Sequence, residues 1–132
     1  MRAGPVVDFL GDDWLEEMTA AAGADAAPEN RARPSLVVQQ VVSGAPGGER
    51  AYVIEVGRPL RFRPGRADEC DVWLTEDYET AVALAQGSLS AGDAFMQGRM
   101  RIGGDLAAAV SAAEALARGG DTFASVRDRT RF

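Results

Sequence analysis

The stretch "AFMQGRMRIGGDL", residues 94–106, admits two incompatible readings. Its glycines suggest a phosphate-cradling loop. The alternation Arg99-Met100-Arg101-Ile102 suggests a strand with one apolar and one charged face. Gly98 and Gly103 have the spacing of a phosphate loop, but Gly104 and Asp105 stand where Lys and Ser or Thr are needed, and an Asp there repels phosphate. The dinucleotide pattern G-x-G-x-x-G is absent as well. The strand reading fits better. Gly98 ends a short helix, the strand runs from Arg99 to Ile102, and Gly103-Gly104 turns tightly into a helix capped by Asp105.

Outward from this point the elements follow one another. "CDVWLTE" alternates as a strand, with Val72 and Leu74 on one side and Trp73 on the other. From Glu76 the period becomes helical. Asp77 starts "DYETAVALAQG" and Gly87 stops it, with Tyr78, Ala81, Val82, Leu84 and Ala85 on the apolar side. Ser90 caps a second short helix, with Asp93 at its third position. Upstream, "SLVVQQVVSG", "AYVIEVG" and "PLRFRPG" read as strands, and the prolines mark the last as short or at an edge. "GDDWLEEMTAAAG" reads as a first helix, capped by Asp13 with Glu16 and carrying an apolar stripe of Trp14, Leu15, Met18, Ala21 and Ala22. Residues 24–34 read as a loop. "DLAAAVSAAEALARGG" reads as the last long helix, with Leu106, Val110, Ala113 and Leu116 on one stripe.

The order is helix, four strands, two helices, strand, helix. It predicts an α+β domain: a five-stranded, mostly antiparallel sheet with helices on one face. The strand at 99–102, arriving after a helical crossover, is expected parallel to its neighbour. Residues 1–120 make one domain, and 121–132 read as a polar, basic C-terminal tail.

Composition excludes a good deal of chemistry. The chain has 132 residues and a net charge of −6, which disfavours a nucleic-acid partner. It contains neither His nor Lys, and all 14 basic residues are Arg. Without them there is no Ser-His or Cys-His pair, no Schiff base and no phosphate-loop lysine. The single Cys70 can form neither an internal disulfide nor a multi-cysteine metal site, and no base stands ready to activate it. The acids Asp12, Asp13, Glu16 and Glu17 suit the first turn of a helix better than calcium. No metal, cofactor or catalytic residue is expected. Arg58, Arg61, Arg63 and Arg66 read as the solvent face of an edge strand, with an anionic surface as the alternative partner. The N-terminal stretch lacks a signal-peptide core, and no uncharged apolar run is long enough to span a membrane, so a cytoplasmic protein is expected. Phe95, Met96, Met100 and Ile102, just before the alanine-rich helix, fit either ordinary core or the wall of an adaptable apolar cavity.

Residues 71–110 resemble the signature half of the SCP-2 (sterol carrier protein 2) sterol-transfer family. The matches are Asp71-Val72, Leu74-Thr75, Gly87-Ser88-Leu89-Ser90, Ala94-Phe95-Met96, Gly98-Arg99-Met100-Arg101-Ile102 and Gly104-Asp105. "GDDWLEEM" resembles the N-terminal helix of bacterial single-domain members. The resemblance implies a hydrophobic tunnel between the sheet and the C-terminal helix. It also implies non-covalent, non-catalytic binding and transfer of fatty acyl or sterol-like lipids. The lining then expected is Leu84, Phe95, Met96, Met100, Ile102, Leu106 and Val110, with Trp14 and Met18 as covers and Ile54 and Val72 as the sheet floor. The expected partner is a lipid or other apolar small molecule, with transient membrane contact and a homodimer both left open. The alternative is an interaction or dimerisation module that uses the same groove without a lipid. The last helix departs from the family in being alanine-rich where many members carry larger side chains.

Overall fold

The computed structural model describes residues 6–23, 36–57, 60–118 and 120–132. The loop expected at 24–34 lies outside these, as does Arg58. The elements are β1 (Val7–Asp8), α1 (Asp12–Gly23), β2 (Leu36–Ser43), β3 (Arg50–Val56), β4 (Arg61–Pro64), β5 (Val72–Asp77), α2 (Tyr78–Gln86), α3 (Ala91–Met96), β6 (Met100–Gly104), α4 (Leu106–Arg118), α5 (Gly120–Asp128) and β7 (Thr130–Arg131).

Alternation builds the sheet. Five strands pair in the order β4-β3-β2-β5-β6, while β1 and β7 form a separate parallel pair. The β2–β3, β3–β4 and β5–β6 pairings are antiparallel. The parallel pair is β2–β5, not the one with β6 that the sequence suggested. The connection after β4 carries the chain past β3 and β2 before it re-enters the sheet. Two successive helices, α2 and α3, then return it to the end of β5 that it left, so Met100 pairs with Glu76 and β6 runs antiparallel.

Gln39 holds that connection. Its Nε2 donates to the carbonyls of Tyr52 (3.1 Å) and Gly65 (3.2 Å), and its Oε1 accepts from the Ala67 N–H (2.8 Å). The opposite face of β2 carries Val38 and Val42, which are fully buried. With Ile54, Val56, Phe62 and Val72 they meet Trp14 and Leu15 of α1, Ala81 of α2, Ala108 and Ala112 of α4, and Val126 of α5 in one core cluster. Helices therefore cover one face of the sheet, and apolar burial there supplies the main stabilisation.

The caps follow local chemistry. Asp77 Oδ1 accepts from the Thr80 N–H at 2.8 Å, and Gly87 closes α2 in the left-handed conformation at φ 79°. Ser90 Oγ accepts from the Asp93 N–H at 3.1 Å to start α3. Helix α1 differs from expectation. It begins at Asp12, and the Leu15 N–H donates to the Gly11 carbonyl, ahead of the anticipated Asp13 cap.

The glycine pair has a different role from the tight turn expected. Gly103 and Gly104 lie inside β6. A Cβ on Gly103 would run into the Trp73 indole, and one on Gly104 (φ 89°) would meet the Asp71 carbonyl. Close approach excludes a side chain at both. Asp71 is a junction: its N–H donates to the Val37 carbonyl, its Oδ2 accepts from the Val37 N–H, and its carbonyl accepts from the Asp105 N–H. Asp105 Oδ1 then accepts from the Ala107 and Ala108 N–H groups and caps α4.

Two apolar assignments move. On α4 the buried stripe is Ala108 and Ala112, whereas Leu106, Val110 and Ala113 face outward. The tight β6–α4 junction holds the helix against the sheet, where small side chains fit and large ones do not. The expected tail is folded: α5 buries Val126 completely and packs Phe123 against the core, and β7 pairs Thr130 with Val7. An Arg129–Glu17 ion pair ties this segment to α1.

Candidate functional site

A cavity of about 290 Å³ lies between the core face of the sheet and helices α1, α2 and α5. Alternation on β3 sends Tyr52 and Ile54 to this face, and β4 adds Phe62. Trp14 and Met18, one turn apart on α1, line one side, and Ala81, Leu84 and Ala85 of α2 line another. Phe123 and Arg127 of α5 complete the wall with Phe9 and Phe132. The aromatic rings brace one another. Trp14 stands edge-on to Phe9 (5.0 Å between centroids) and to Tyr52 (5.8 Å), and Phe123 edge-on to Phe62 (5.8 Å). Such pairs stabilise by about 0.5–1.5 kcal/mol each beyond simple burial.

The floor is polar. Gln40 on β2 lies directly across from Tyr52, and Glu76 on β5 projects from the same face. Gln40 is 8% exposed and Glu76 5%. Gln40 Oε1 and Glu76 Oε2 are buried without a hydrogen-bond partner. Burial, and after it the neighbouring Asp77 carboxylate, pushes the Glu76 carboxyl up to about 7. Burial, and after it the Glu76 charge, raises the Tyr52 hydroxyl above its ordinary value. Asp77 goes the other way, held below the usual range first by its hydrogen bonds from Thr80.

A second cavity of about 640 Å³ adjoins the first and is more charged, with Asp8, Asp12, Arg50 and Arg131 on its walls. Phe9 and Phe132, their centroids 4.9 Å apart, border both.

Of the residues singled out from sequence, Trp14, Met18, Ile54 and Leu84 converge on the 290 Å³ cavity. Val72 and Met100 are buried in the sheet without lining it, and Ile102 is half-buried against the core. Phe95, Met96, Leu106 and Val110 are exposed, at 47%, 82%, 60% and 59%. The cavity thus sits on the α1–α2–α5 side, because the alanine face of α4 closes down on the sheet. Phe9, Gln40, Tyr52, Phe62, Glu76 and Phe123 were not anticipated as lining. Tyr52 and Phe62 were within reach, since each shares the strand alternation that placed Ile54.

Other candidates resolve into local structure. Arg61 and Arg63 meet Glu55, and Arg66 meets Glu49 at 2.9 Å, so these cations each face a carboxylate. Asp12 pairs with Arg50 at 3.2 Å. Cys70 is exposed. Among the described residues no cluster of metal-binding side chains occurs, and no helix is long and apolar enough to cross a membrane.

The model of the SCP-2 sterol transfer family matches residues 15–117. The chain belongs to that family. Among solved SCP-2 structures, palmitated SCP2L2 from Aedes aegypti is 28% identical with a TM-score of 0.59, covering 78% of this chain and 90% of that one. The crystal structure of SCP2-L2 from the same species is 27% identical, again at 0.59, covering 77% and 92%. A conserved hypothetical protein from Thermus thermophilus shares the fold at 18% identity and a TM-score of 0.63, covering 98% and 94%. No curated protein matches the sequence significantly. The SCP-2 match ends before α5, so Phe123, Arg127 and Phe132 of the cavity wall lie beyond it.

Proposed function

We propose that this SCP-2 chain binds one hydrophobic lipid non-covalently in the 290 Å³ cavity and transfers it between apolar environments. The observation that carries this reading is the cavity itself, walled by aromatic and aliphatic side chains on a preformed scaffold. The palmitate carried by the Aedes aegypti SCP2L2, at 28% identity, supports a ligand with a fatty acyl chain. Transfer needs no chemistry, and a chain without His or Lys is suited to that.

The energetics fit a carrier that must release its cargo. Burying about ten methylenes contributes roughly 8 kcal/mol. Association costs at least about 4 kcal/mol, so at most about 4 kcal/mol is left, a dissociation constant of about 1 mM or weaker. Ala85→Phe, which fills the cavity from α2, tests the site. Equilibrium dialysis with palmitic acid at pH 6 should show at least a ten-fold loss of affinity, with far-UV circular dichroism preserved. Unchanged affinity in a folded variant would place the ligand elsewhere.

A second reading, an interaction or dimerisation module, draws on the exposed Phe95, Met96, Leu106 and Val110, which lie on α3 and α4. Both helices pack on β6. Sedimentation equilibrium separates the two readings: a monomer at micromolar concentration removes the dimer.

A further inference from the structure

An apolar wall alone would not discriminate among lipid head groups, but the cavity floor is chemically particular. Gln40, Tyr52 and Glu76 come from three neighbouring strands and meet on one face. Gln40 and Glu76 are more than nine-tenths buried, and each presents an oxygen without a hydrogen-bond partner in a cavity otherwise lined mainly by carbon. A buried acceptor left unpaired is costly, so the site is complementary to whatever supplies donors there.

We propose that this floor selects a lipid that enters polar end first and ends in a neutral hydroxyl, in preference to a fatty acid; this rests on the lipid-binding reading above. A hydroxyl donates one hydrogen bond, to Gln40 Oε1 or Glu76 Oε2, and accepts another from the Tyr52 O–H. A carboxylate has no proton to donate, and beside Glu76 it sets like charge against like in a site of low dielectric. An ammonium head can donate but not accept, and Arg127 on the α5 wall, which opposes it, only partly offsets the repulsion that a carboxylate meets at Glu76.

Among the described residues, the charged or titratable groups at the cavity beside Glu76 are few. Tyr52 lies on β3, Asp77 is next along β5 and Arg127 comes from α5, while α1 and α2 present only Trp14, Met18, Ala81, Leu84 and Ala85 to the cavity. Glu76 therefore decides the charge of the floor. With its carboxyl raised to about 7, the floor is anionic at pH 8 and largely neutral at pH 6. A protonated Glu76 can donate to a carboxylate, so the handicap of the fatty acid shrinks on acidification.

Equilibrium dialysis of lipid-free protein against radiolabelled 1-hexadecanol and palmitic acid, at pH 8 and pH 6, tests this. The expected result at pH 8 is at least ten-fold tighter binding of 1-hexadecanol, with the ratio falling at pH 6. Glu76→Gln should raise palmitate affinity at pH 8 at least five-fold, because the amide removes the charge and adds a donor. Gln40→Leu, which keeps Glu76 in place, should weaken 1-hexadecanol at least three-fold. Equal binding of the two lipids by the unaltered protein at pH 8, or a ratio indifferent to both substitutions, overturns the head-group selection and leaves lipid binding standing. Binding of neither lipid overturns both.

Discussion

Glu76 is the residue at which fold and site conflict. Its place on β5 is set by alternation, which sends it to the core face with Val72 and Leu74. There its carboxyl is raised to about 7 from an ordinary 4.5, mainly by burial. The folded state holds that proton over a range where the unfolded chain has released it. Stability from this group is thus full below about pH 4.5, declines as pH rises and is lost above about 7. A shift of this size corresponds to on the order of 3 kcal/mol. Glu76→Gln should therefore match the parent in urea denaturation near pH 4.5 and exceed it at pH 8 by a few kcal/mol. A difference independent of pH would show that Glu76 is solvated in the folded protein. Such a cost at a cavity accords with the proposed role of Glu76 in binding.

At the scale of elements, much of the architecture was legible. The period change at Glu76, the caps at Asp77 and Ser90, and the alternation through Tyr52, Ile54 and Val56 each rest on local physics. What local pattern could not supply was the phase of α4. Leu106 and Val110 form the larger apolar stripe, yet Ala108 and Ala112 face the sheet. The Asp71–Asp105 junction and the two crowded glycines decide how close the helix lies, and that closeness favours alanine. The C-terminal helix was illegible for a different reason. In "DTFASVRDRTRF" only Phe123 and Val126 among the residues of α5 mark an apolar stripe, too sparse to stand out from a polar tail. Val126→Ala tests that α5 belongs to the core. It should cost about 2 kcal/mol in urea denaturation, as expected for losing part of a fully buried valine. A free tail would lose nothing measurable.

Over the whole molecule, the sheet divides the labour. One edge, through Asp71, Gly103, Gly104 and Asp105, packs α4 tightly and leaves no room. The other side, under α1, α2 and α5, keeps a cavity with apolar walls and a polar floor. The conspicuous sequence motif thus builds the closed half, and the candidate site lies in the half whose sequence is plainer. The lining residues missed in the sequence come from separate segments of the chain, which only tertiary folding unites. Met18, Ile54 and Leu84 report on the cavity, whereas Met96, Leu106 and Val110 report on the exposed α3–α4 surface. Methyl NMR of lipid-free protein titrated with 1-hexadecanol, and separately with palmitic acid at pH 6, compares the two regions in one experiment. One saturable site should shift Met18, Ile54 and Leu84 and leave Met96, Leu106 and Val110 in place. Saturable shifts confined to Met96, Leu106 and Val110, or none at all, would contradict a lipid site in this cavity.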